Sequence, residues 1–498
     1  MEDPGSKVLE HNNYFKNVEQ VIQQYDLVVG IEVHVQLNTK TKMWCNCEIS
    51  KSSFENQTVC AVCTAQPGTL PVINRAAIRL AGLAALASGC TINKFSKFDR
   101  KNYFYPDLPK GYQITQFVTP IAEGGSLDVT LPNNEKKKIR ITRIQLEEDT
   151  GKSVHHENYS LVNLNRAGTP LIEIITEPDI SSSVEAVAYL KKLHANMVYL
   201  EVTQGNMQDG NFRCDINISL KPKGSIKLGI RVEVKNLNSF KSVEKAIEYE
   251  MVRQANLLRN GEKILQQTLL FDADKLQTKA IRTKTDADDY RYFAEPDLMP
   301  LIISDEQIGE WRSSLPELPD AKQTRLVTTY GITPYDAEVL CQDRKVVDYF
   351  EEGVSIYPAS AKKIANWILS ALLHYLNEAH LPISKSPISA LHLAELVKMI
   401  DEGIVSSKMA KEIFVEMFDS KKSAKEIVGS KGLQQNSDES QLEKLVDDLI
   451  SKFPQEVAEL KGGRERVMGF FVGHIMKDTQ GKANPKLTTD LIRKKMGI

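Results

Sequence analysis

The sequence predicts a mixed α/β (α+β) fold, strand-rich in its first three-fifths and helical thereafter. Three observations carry that expectation. Between about residues 25 and 310, apolar residues recur at every second position in several separate runs, the period of a strand with one buried face. After the proline-punctuated stretch LPELPDAKQ (315–323) the apolar spacing changes to that of amphipathic helices. At 498 residues the chain is also too long for one ordinary core. The expected organisation is an N-terminal extension over 1–24, a sheet domain over 25–315, a helical domain over 316–428 and a tail over 429–498.

The first strand is IEVHVQL. Ile31, Val33, Val35 and Leu37 alternate with Glu32, His34 and Gln36, so a carboxylate and an imidazole share the face opposite the core. IRITRIQL in the 140s, LVNLN (161–165), LIEIIT (171–176), FRCDINISL (212–220) and IRVEVKNL (230–237) read as further strands. In FRCDINISL the alternation sets Phe212, Cys214, Ile216, Ile218 and Leu220 against Arg213, Asp215, Asn217 and Ser219. One-sided strands of this kind fit an antiparallel or mixed sheet with one face on a core. Any single polar face could simply be solvated. Here several carry Glu, His, Arg, Asp and Asn, which points to a shared polar cleft. The helical part is read from ASAKKIANWILSALLHYLNEA, LHLAELVKMIDEG, SKMAKEIFVEMF and ESQLEKLVDDLISKF, with joints at KSPIS and SKGLQQNSDES.

Composition narrows the class. With 26% charged and 42% hydrophobic residues and a formal net charge of -2, the chain is neither disordered nor a bilayer protein. The most apolar stretch, AAIRLAGLAALASG (76–89), is interrupted by Arg79 and too short to span a membrane. No secretory or transit signal is read in residues 1–24, so a cytoplasmic location and no membrane partner are expected. A near-neutral total leaves room for a nucleic-acid partner through local patches. One candidate is Lys461–Ile498, where nine Lys and Arg face three acidic residues, although a solvated basic helix reads the same way.

Four of the seven cysteines fall in two close pairs, Cys45/Cys47 and Cys60/Cys63, with twelve residues between the pairs. Such pairs can surround one tetrahedral Zn²⁺, and four thiolates would leave no open position, so the expected zinc is structural. Gly151-Lys152-Ser153 imitates the end of a phosphate loop, but the earlier glycine would have to stand where Leu146 does. Just before it, Glu147, Glu148 and Asp149 are adjacent and repel one another unless solvent or a cation intervenes. Glu173 interrupts an apolar strand and needs a metal or a basic partner if buried. Together Glu32, His34, Glu148 and Glu173 form a candidate hard-cation set suited to Mg²⁺ with nucleotide phosphates. KFDRKNYFYPDLPKGYQITQ (97–116) alternates bases with aromatics, as a nucleic-acid surface does, or as a polar loop anchored by tyrosines does.

GIEVHVQL, the CxC…CxxC pairs followed by QPGTLPVIN, KFDRKNYFYPDLPKGYQITQ, LEEDTGKSVH, LVNLNRAGTPLIEIITEPDI, RCDINISL, RVEVKNLNSF and DDYRYFAEPDLMPL resemble the B-subunit family of the tRNA-dependent amidotransferases. The resemblance runs from about residue 26 to the C-terminus. It implies ATP-dependent phosphorylation of the side-chain carboxyl of Glu or Asp misacylated onto tRNA. Ammonia channelled from a glutaminase A subunit then displaces the phosphate, and a small C subunit clasps the complex. It further implies a cradle-shaped domain akin to glutamine synthetase, then helical domains whose tail contacts tRNA. By the same resemblance Glu32, His34, Glu148 and Glu173 hold Mg²⁺ at the ATP site, Glu147 and Asp149 set the charge of that pocket, and Lys101 lines a channel or touches substrate. Cys45, Cys47, Cys60 and Cys63 match the members that keep zinc. The competing readings are a non-catalytic, zinc-containing RNA-binding module and a metal-dependent hydrolase using Glu32 and His34.

Overall fold

The computed structural model describes residues 14–49, 54–283, 290–431, 439–479, 483 and 485–497. The chain divides into two compact units, Met1–Leu318 and Pro319–Ile498. The division falls inside LPELPDAKQ, whose second half is the first turn of the helix Pro319–Tyr330.

The strand read from IEVHVQL extends over Tyr25–Gln36 and lies in the middle of a nine-stranded sheet. To one side run Phe212–Pro222, Val232–Leu237, Gln267–Asp272 and Gln277–Thr283. To the other run Pro170–Thr176, Lys136–Glu148, Ala122–Thr130 and Thr91–Ile92. All neighbours are antiparallel except Val232–Leu237 with Gln267–Asp272. That parallel pair needs a crossover, and the helix Phe240–Arg259 lies in it. The sheet is therefore mixed, as the one-sided strands led us to expect.

Leu27, Val29, Ile31, Val33 and Val35 are buried on one face. The helices Arg75–Ala87, Ser183–Tyr199 and Phe240–Arg259 cover that face with Ile78, Tyr189, Leu190, Leu193, Val243 and Ile247. Each large aliphatic side chain so buried contributes about 1.5–3 kcal/mol. Arg75–Ala87 is alanine-rich and comes close to its neighbours: a methyl group on Gly82 would lie 2.3 Å from the buried Trp311 ring. The Glu32/His34 face carries no helix of this set and forms a cleft.

Residues 14–24 of the expected extension belong to the unit. The buried Phe15 donates its backbone N–H to Asn256 Oδ1 at 2.7 Å, and the Arg259 guanidinium lies 4.8 Å from its ring centroid. Residues 1–13 lie outside the described residues.

One irregularity decides how the acidic stretch is displayed. In IRITRIQL the apolar positions are Ile139, Ile141, Ile144 and Leu146, so the alternation jumps by one after Ile141. The pairing with Pro170–Thr176 shifts register at that point. A bulge of this kind leaves one residue unpaired and changes the facing of everything beyond it. Ile144 and Leu146 return to the core, and Arg143, Gln145 and Glu147 turn to the cleft.

The second unit is helical throughout its described residues, including Arg344–Ile356, Ala390–Asp401, Ser407–Ser420, Glu439–Lys452, Met468–Asp478 and Pro485–Met496. ASAKKIANWILSALLHYLNEA forms two helices, Ala361–Trp367 and Leu373–Glu378, joined by a π-helical turn at Ile368–Leu372. The last helices enclose a core of their own around Leu442, Val446, Phe471, Ile475 and Leu491. Most of the joint read at SKGLQQNSDES lies outside the described residues. No helix among them is long and apolar enough to cross a membrane.

Candidate active site

Pairing register lines up the cleft side chains, because directly opposed residues in antiparallel strands share a face. Gln145, Glu173, His34 and Arg213 form one row across four strands. Glu147 stands one row to one side, and Glu32 with Asp215 one row to the other. The cleft above them measures about 580 Å³ and is walled by aromatic rings, with Phe117 and Tyr292 stacked at 4.1 Å.

Ligand atoms of His34, Glu147 and Glu173 lie within 4.8 Å of one another. His34 Nε2 is 3.6 Å from Glu173 Oε1, and Gln145 Nε2 donates to the other Glu173 oxygen. Glu147 accepts from Gln113 Nε2 at 2.8 Å and Thr115 Oγ1 at 3.1 Å. Lys101, whose side chain is one-fifth exposed, reaches within 3.9 Å of Glu147 and lies over the Tyr290 ring.

Burial pushes the Glu173 carboxyl up to about 7; His34 pulls it back, while Glu147 and Glu32 add to the rise. Burial also opposes the Lys101 charge, but Glu147 and Glu173 more than offset it, and the ammonium stays charged far into the alkaline range. Six carboxylates line the cleft (Glu32, Glu147, Asp149, Glu173, Asp215 and Glu233) against four cations (Lys101, Arg143, Arg213 and Lys235). That leaves about two negative charges over, which a divalent cation would neutralise. An imidazole nitrogen and two carboxylates form a donor set that fits such an ion.

Glu147 and Asp149, expected to set the charge of the pocket, line the cleft, and so do four of the five residues expected to hold the ion or touch substrate: Glu32, His34, Lys101 and Glu173. Only His34 and Glu173 of them are in the close group, because Glu32 is drawn aside and accepts from Asn217 Nδ2 at 2.8 Å. Glu148 is a correction. It shares the parity of Ile144 and Leu146, so its carboxylate points away from the cleft, where Lys110 pairs with it and the Ile114 N–H donates to it at 2.9 Å. Glu147 takes the place expected of it. The phase jump after Ile141 was the signal in the sequence.

Three features went unread in the sequence. Gln113 and Thr115, which position Glu147, come from the short strand Tyr112–Thr115 paired with Asp99–Asn102 in a separate small sheet. Asp149 is held by Arg213 at 2.9 Å and Arg166 at 3.5 Å. Lys235 joins Asp215 and Glu233. The last two depend on strand neighbours distant in sequence.

The cysteines gather elsewhere in the unit. Sulfur atoms of Cys45, Cys47, Cys60 and Cys63 lie within 4.8 Å of one another, and none of the four is in a disulfide. Lys42 N–H donates to the Cys47 carbonyl and Thr64 N–H to that of Cys60, each at 3.0 Å, folding both pairs into turns. The Cys63 sulfur is drawn down to about 4 by a hydrogen bond from the Cys45 thiol, with help from the Cys60 backbone and from Lys42, whose Nζ is 3.4 Å away. Four sulfurs this close, one already stabilised as thiolate, fit a tetrahedral ion such as Zn²⁺.

An open-faced mixed sheet with a buried acidic floor, continued by helical modules, defines a catalytic α/β domain carried on a multi-part chain. The GatB/GatE catalytic domain family matches residues 27–309, and the GatB domain family matches residues 348–496. The chain is 51% identical over 470 residues to the aspartyl/glutamyl-tRNA(Asn/Gln) amidotransferase B subunit of Persephonella marina, covering 94% of this chain and 99% of that one. It is 48% identical over 476 residues to the protein of the same name from Solidesulfovibrio magneticus, covering 95% and 100%. With that of Thermodesulfovibrio yellowstonii the figures are 46% over 472 residues, covering 95% and 99%. The chain belongs to the GatB family.

Proposed function

We propose that this chain is the amide-forming subunit of a tRNA-dependent amidotransferase. It converts Glu misacylated onto tRNA(Gln), Asp misacylated onto tRNA(Asn), or both, to the cognate amide, working in the cytoplasm with a glutaminase A subunit and a small C subunit. The observation that supports this most is the group of half-buried His34 with buried Glu147 and Glu173 at the floor of a net-acidic cleft. A non-catalytic RNA-binding module has no need of it.

In the proposed reaction an oxygen of the aminoacyl side-chain carboxylate attacks the γ-phosphorus of ATP and ADP leaves. Ammonia then attacks the carbonyl carbon, the C–O bond to phosphate breaks, phosphate departs with the electron pair, and nitrogen loses a proton. A Mg²⁺ ion held by His34, Glu147 and Glu173 would neutralise phosphate oxygens as charge builds on them. Glu32, one row along and bonded to Asn217, would add its negative charge to that site. Lys101, kept charged by Glu147 and Glu173, faces the anionic end of the substrate. The aromatic wall limits water at the acyl phosphate. Zn²⁺ in the four-thiol cluster supports the fold. The cradle is proposed to share its acyl-phosphate chemistry and its fold type with glutamine synthetase, and the basic tail over 429–498 to contact tRNA.

The test is Glu147→Gln in the assembled complex. ATP-dependent formation of Gln-tRNA from Glu-tRNA should be lost while glutamine hydrolysis by the partner survives. Retained amidation would refute the assignment of the site.

A further inference from the structure

The four-thiol cluster and the acidic cleft meet on opposite sides of one segment, residues 162–169. That segment leads from the strand Ser160–Asn163 into Pro170–Thr176, which carries Glu173. On one side two asparagines clasp it to the cysteine loop. Asn56 Nδ2 donates to the Val162 carbonyl at 3.0 Å, and Asn56 Oδ1 accepts the Leu164 N–H at 2.6 Å. Asn165 reciprocates, donating to the Phe54 carbonyl at 2.8 Å and accepting the Thr58 N–H at 3.0 Å. The buried Lys42 sets its Nζ between the Leu164 carbonyl and the Cys63 sulfur, at 3.2 and 3.4 Å. The Met43 N–H donates to the Gly168 carbonyl at 2.7 Å.

On the other side the segment grips the strand end that carries the acids. The Gly168 N–H donates to the Asp149 carbonyl at 2.9 Å, and the Asp149 N–H to that of Thr169 at 2.8 Å. Arg166 Nε lies 3.5 Å from the Asp149 carboxylate and donates to the Thr150 carbonyl at 3.0 Å. A Cβ built on Gly168 would lie 3.8 Å from both Cys63 Cβ and Glu148 Oε2. One turn of backbone therefore separates the thiols from the strand that bears Glu147.

The cysteine loop has little else to hold it. Between Tyr25–Gln36 and Arg75–Ala87 the described residues form no helix and no strand, only a bridge between Thr41 and Glu48. A connection that long without secondary structure needs another anchor. A tetrahedral ion supplies one, because binding the metal and ordering such a loop are one equilibrium.

We propose that the metal of the four thiols positions the cleft's acidic floor, besides supporting the fold. It fixes the Phe54–Thr58 backbone and Asn56; these fix residues 162–169, which in turn fix Asp149, beside Glu147, and the start of the strand bearing Glu173. The inference rests on the reading of His34, Glu147 and Glu173 as an ion site and adds a positioning chain to it. Asn56 and Asn165 are its positioning residues, and neither lines the cleft. Groups that orient a ligand set from behind alter its metal affinity by about 10–100-fold.

The experiment uses the assembled complex, with Mn²⁺ binding to the cleft followed by electron paramagnetic resonance. Cys60→Ser with Cys63→Ser, which removes the zinc, should weaken Mn²⁺ binding about tenfold and speed hydrogen exchange at the Asp149, Leu164 and Gly168 amides. Asn56→Gly with Asn165→Ala should keep one zinc per chain and show the same weakening. Combining the two pairs of changes should weaken binding no further, since both cut one chain of contacts. A clasp variant that keeps its zinc and binds Mn²⁺ as tightly as wild type overturns the proposal, and so does a combined variant in which the two losses multiply. The clasp variant decides the matter even where the cysteine variant fails to fold. Failure of the underlying reading shows separately, as Mn²⁺ binding by the wild-type complex that survives Glu173→Gln.

Discussion

Glu147 and Glu148 are neighbours in sequence and opposites in structure, so the same substitution at each should separate chemistry from stability. Glu148 is buried and pairs with Lys110, itself mostly buried. Removing one partner of a buried ion pair strands the other, at a cost of about 3–5 kcal/mol. For a domain of this size that corresponds to a fall in Tm of roughly 5–10 °C. Glu147→Gln behaves differently. The new amide oxygen still accepts from Gln113, the new NH2 donates to the Thr115 hydroxyl in place of accepting from it, and a carboxylate is removed from beside Glu173, so Tm should stay within about 1–2 °C. Calorimetry on each variant gives the stability arm. ADP release with Glu-tRNA, measured in the assembled complex, gives the chemical arm. We expect Glu147→Gln to be folded and inactive in ADP release, and Glu148→Gln to be destabilised yet active below its melting point. An active Glu147→Gln, or a Glu148→Gln of unaltered Tm, would show that the facing of the strand has been misread.

Other expectations follow from the same contacts. Glu173 binds its proton more tightly when folded, with its pKa raised from 4.5 to about 7. Metal-free protein should therefore lose about 3 kcal/mol of stability as pH rises from about 4.5 to about 7. Glu173→Gln should abolish that fall, as denaturant titrations at pH 5 and 8 in chelator would show, and an identical slope in both proteins would contradict the assignment. Purified protein should carry about one zinc per chain, lost on replacing Cys60 and Cys63 with serine; elemental analysis finding no zinc would sink the four-thiol reading. Gly82→Ala should cost about 1–3 kcal/mol, because its methyl group meets the Trp311 ring, and an unchanged denaturation midpoint would refute that packing. The double change Arg466→Glu and Lys477→Glu, both exposed, should weaken tRNA binding and flatten its dependence on log salt by about one unit per site. Unchanged affinity would remove the tail from the RNA surface.

How much was legible before the structure depends on whether a feature is local. Alternation along Ile31–Leu37 and Phe212–Leu220 gave strands with apolar and polar faces, and the close pairing of cysteines gave a cluster. The bulge after Ile141 was written in the spacing of the isoleucines, yet only a strict parity count through it would have turned Glu148 inward and Glu147 outward. Register is not local. Nothing in the sequence near His34 says that Glu173 and Arg213 will stand opposite it, or that Gln113 will reach over from a second sheet to hold Glu147. The helices over the core face were also hard to place, since AAIRLAGLAALA is apolar nearly all round and shows little periodicity.

The central position of Tyr25–Gln36 has a consequence for biosynthesis. This strand leaves the ribosome early, but its partners lie far down the chain: Glu32 and Asn217, which touch across the sheet, are 185 residues apart. At roughly 5–20 residues per second, the gap lasts about ten to forty seconds. Until Pro170–Thr176 emerges, this valine-rich segment has its hydrogen-bonding edges open on both sides, and one edge stays open until Phe212–Pro222 follows, the condition that favours pairing with another nascent chain. The polar alternate positions that make the cleft also interrupt that segment with Glu32 and His34 while it waits. Mutations that neutralise them should therefore lower the yield of soluble protein during synthesis more than they lower the stability of the finished fold.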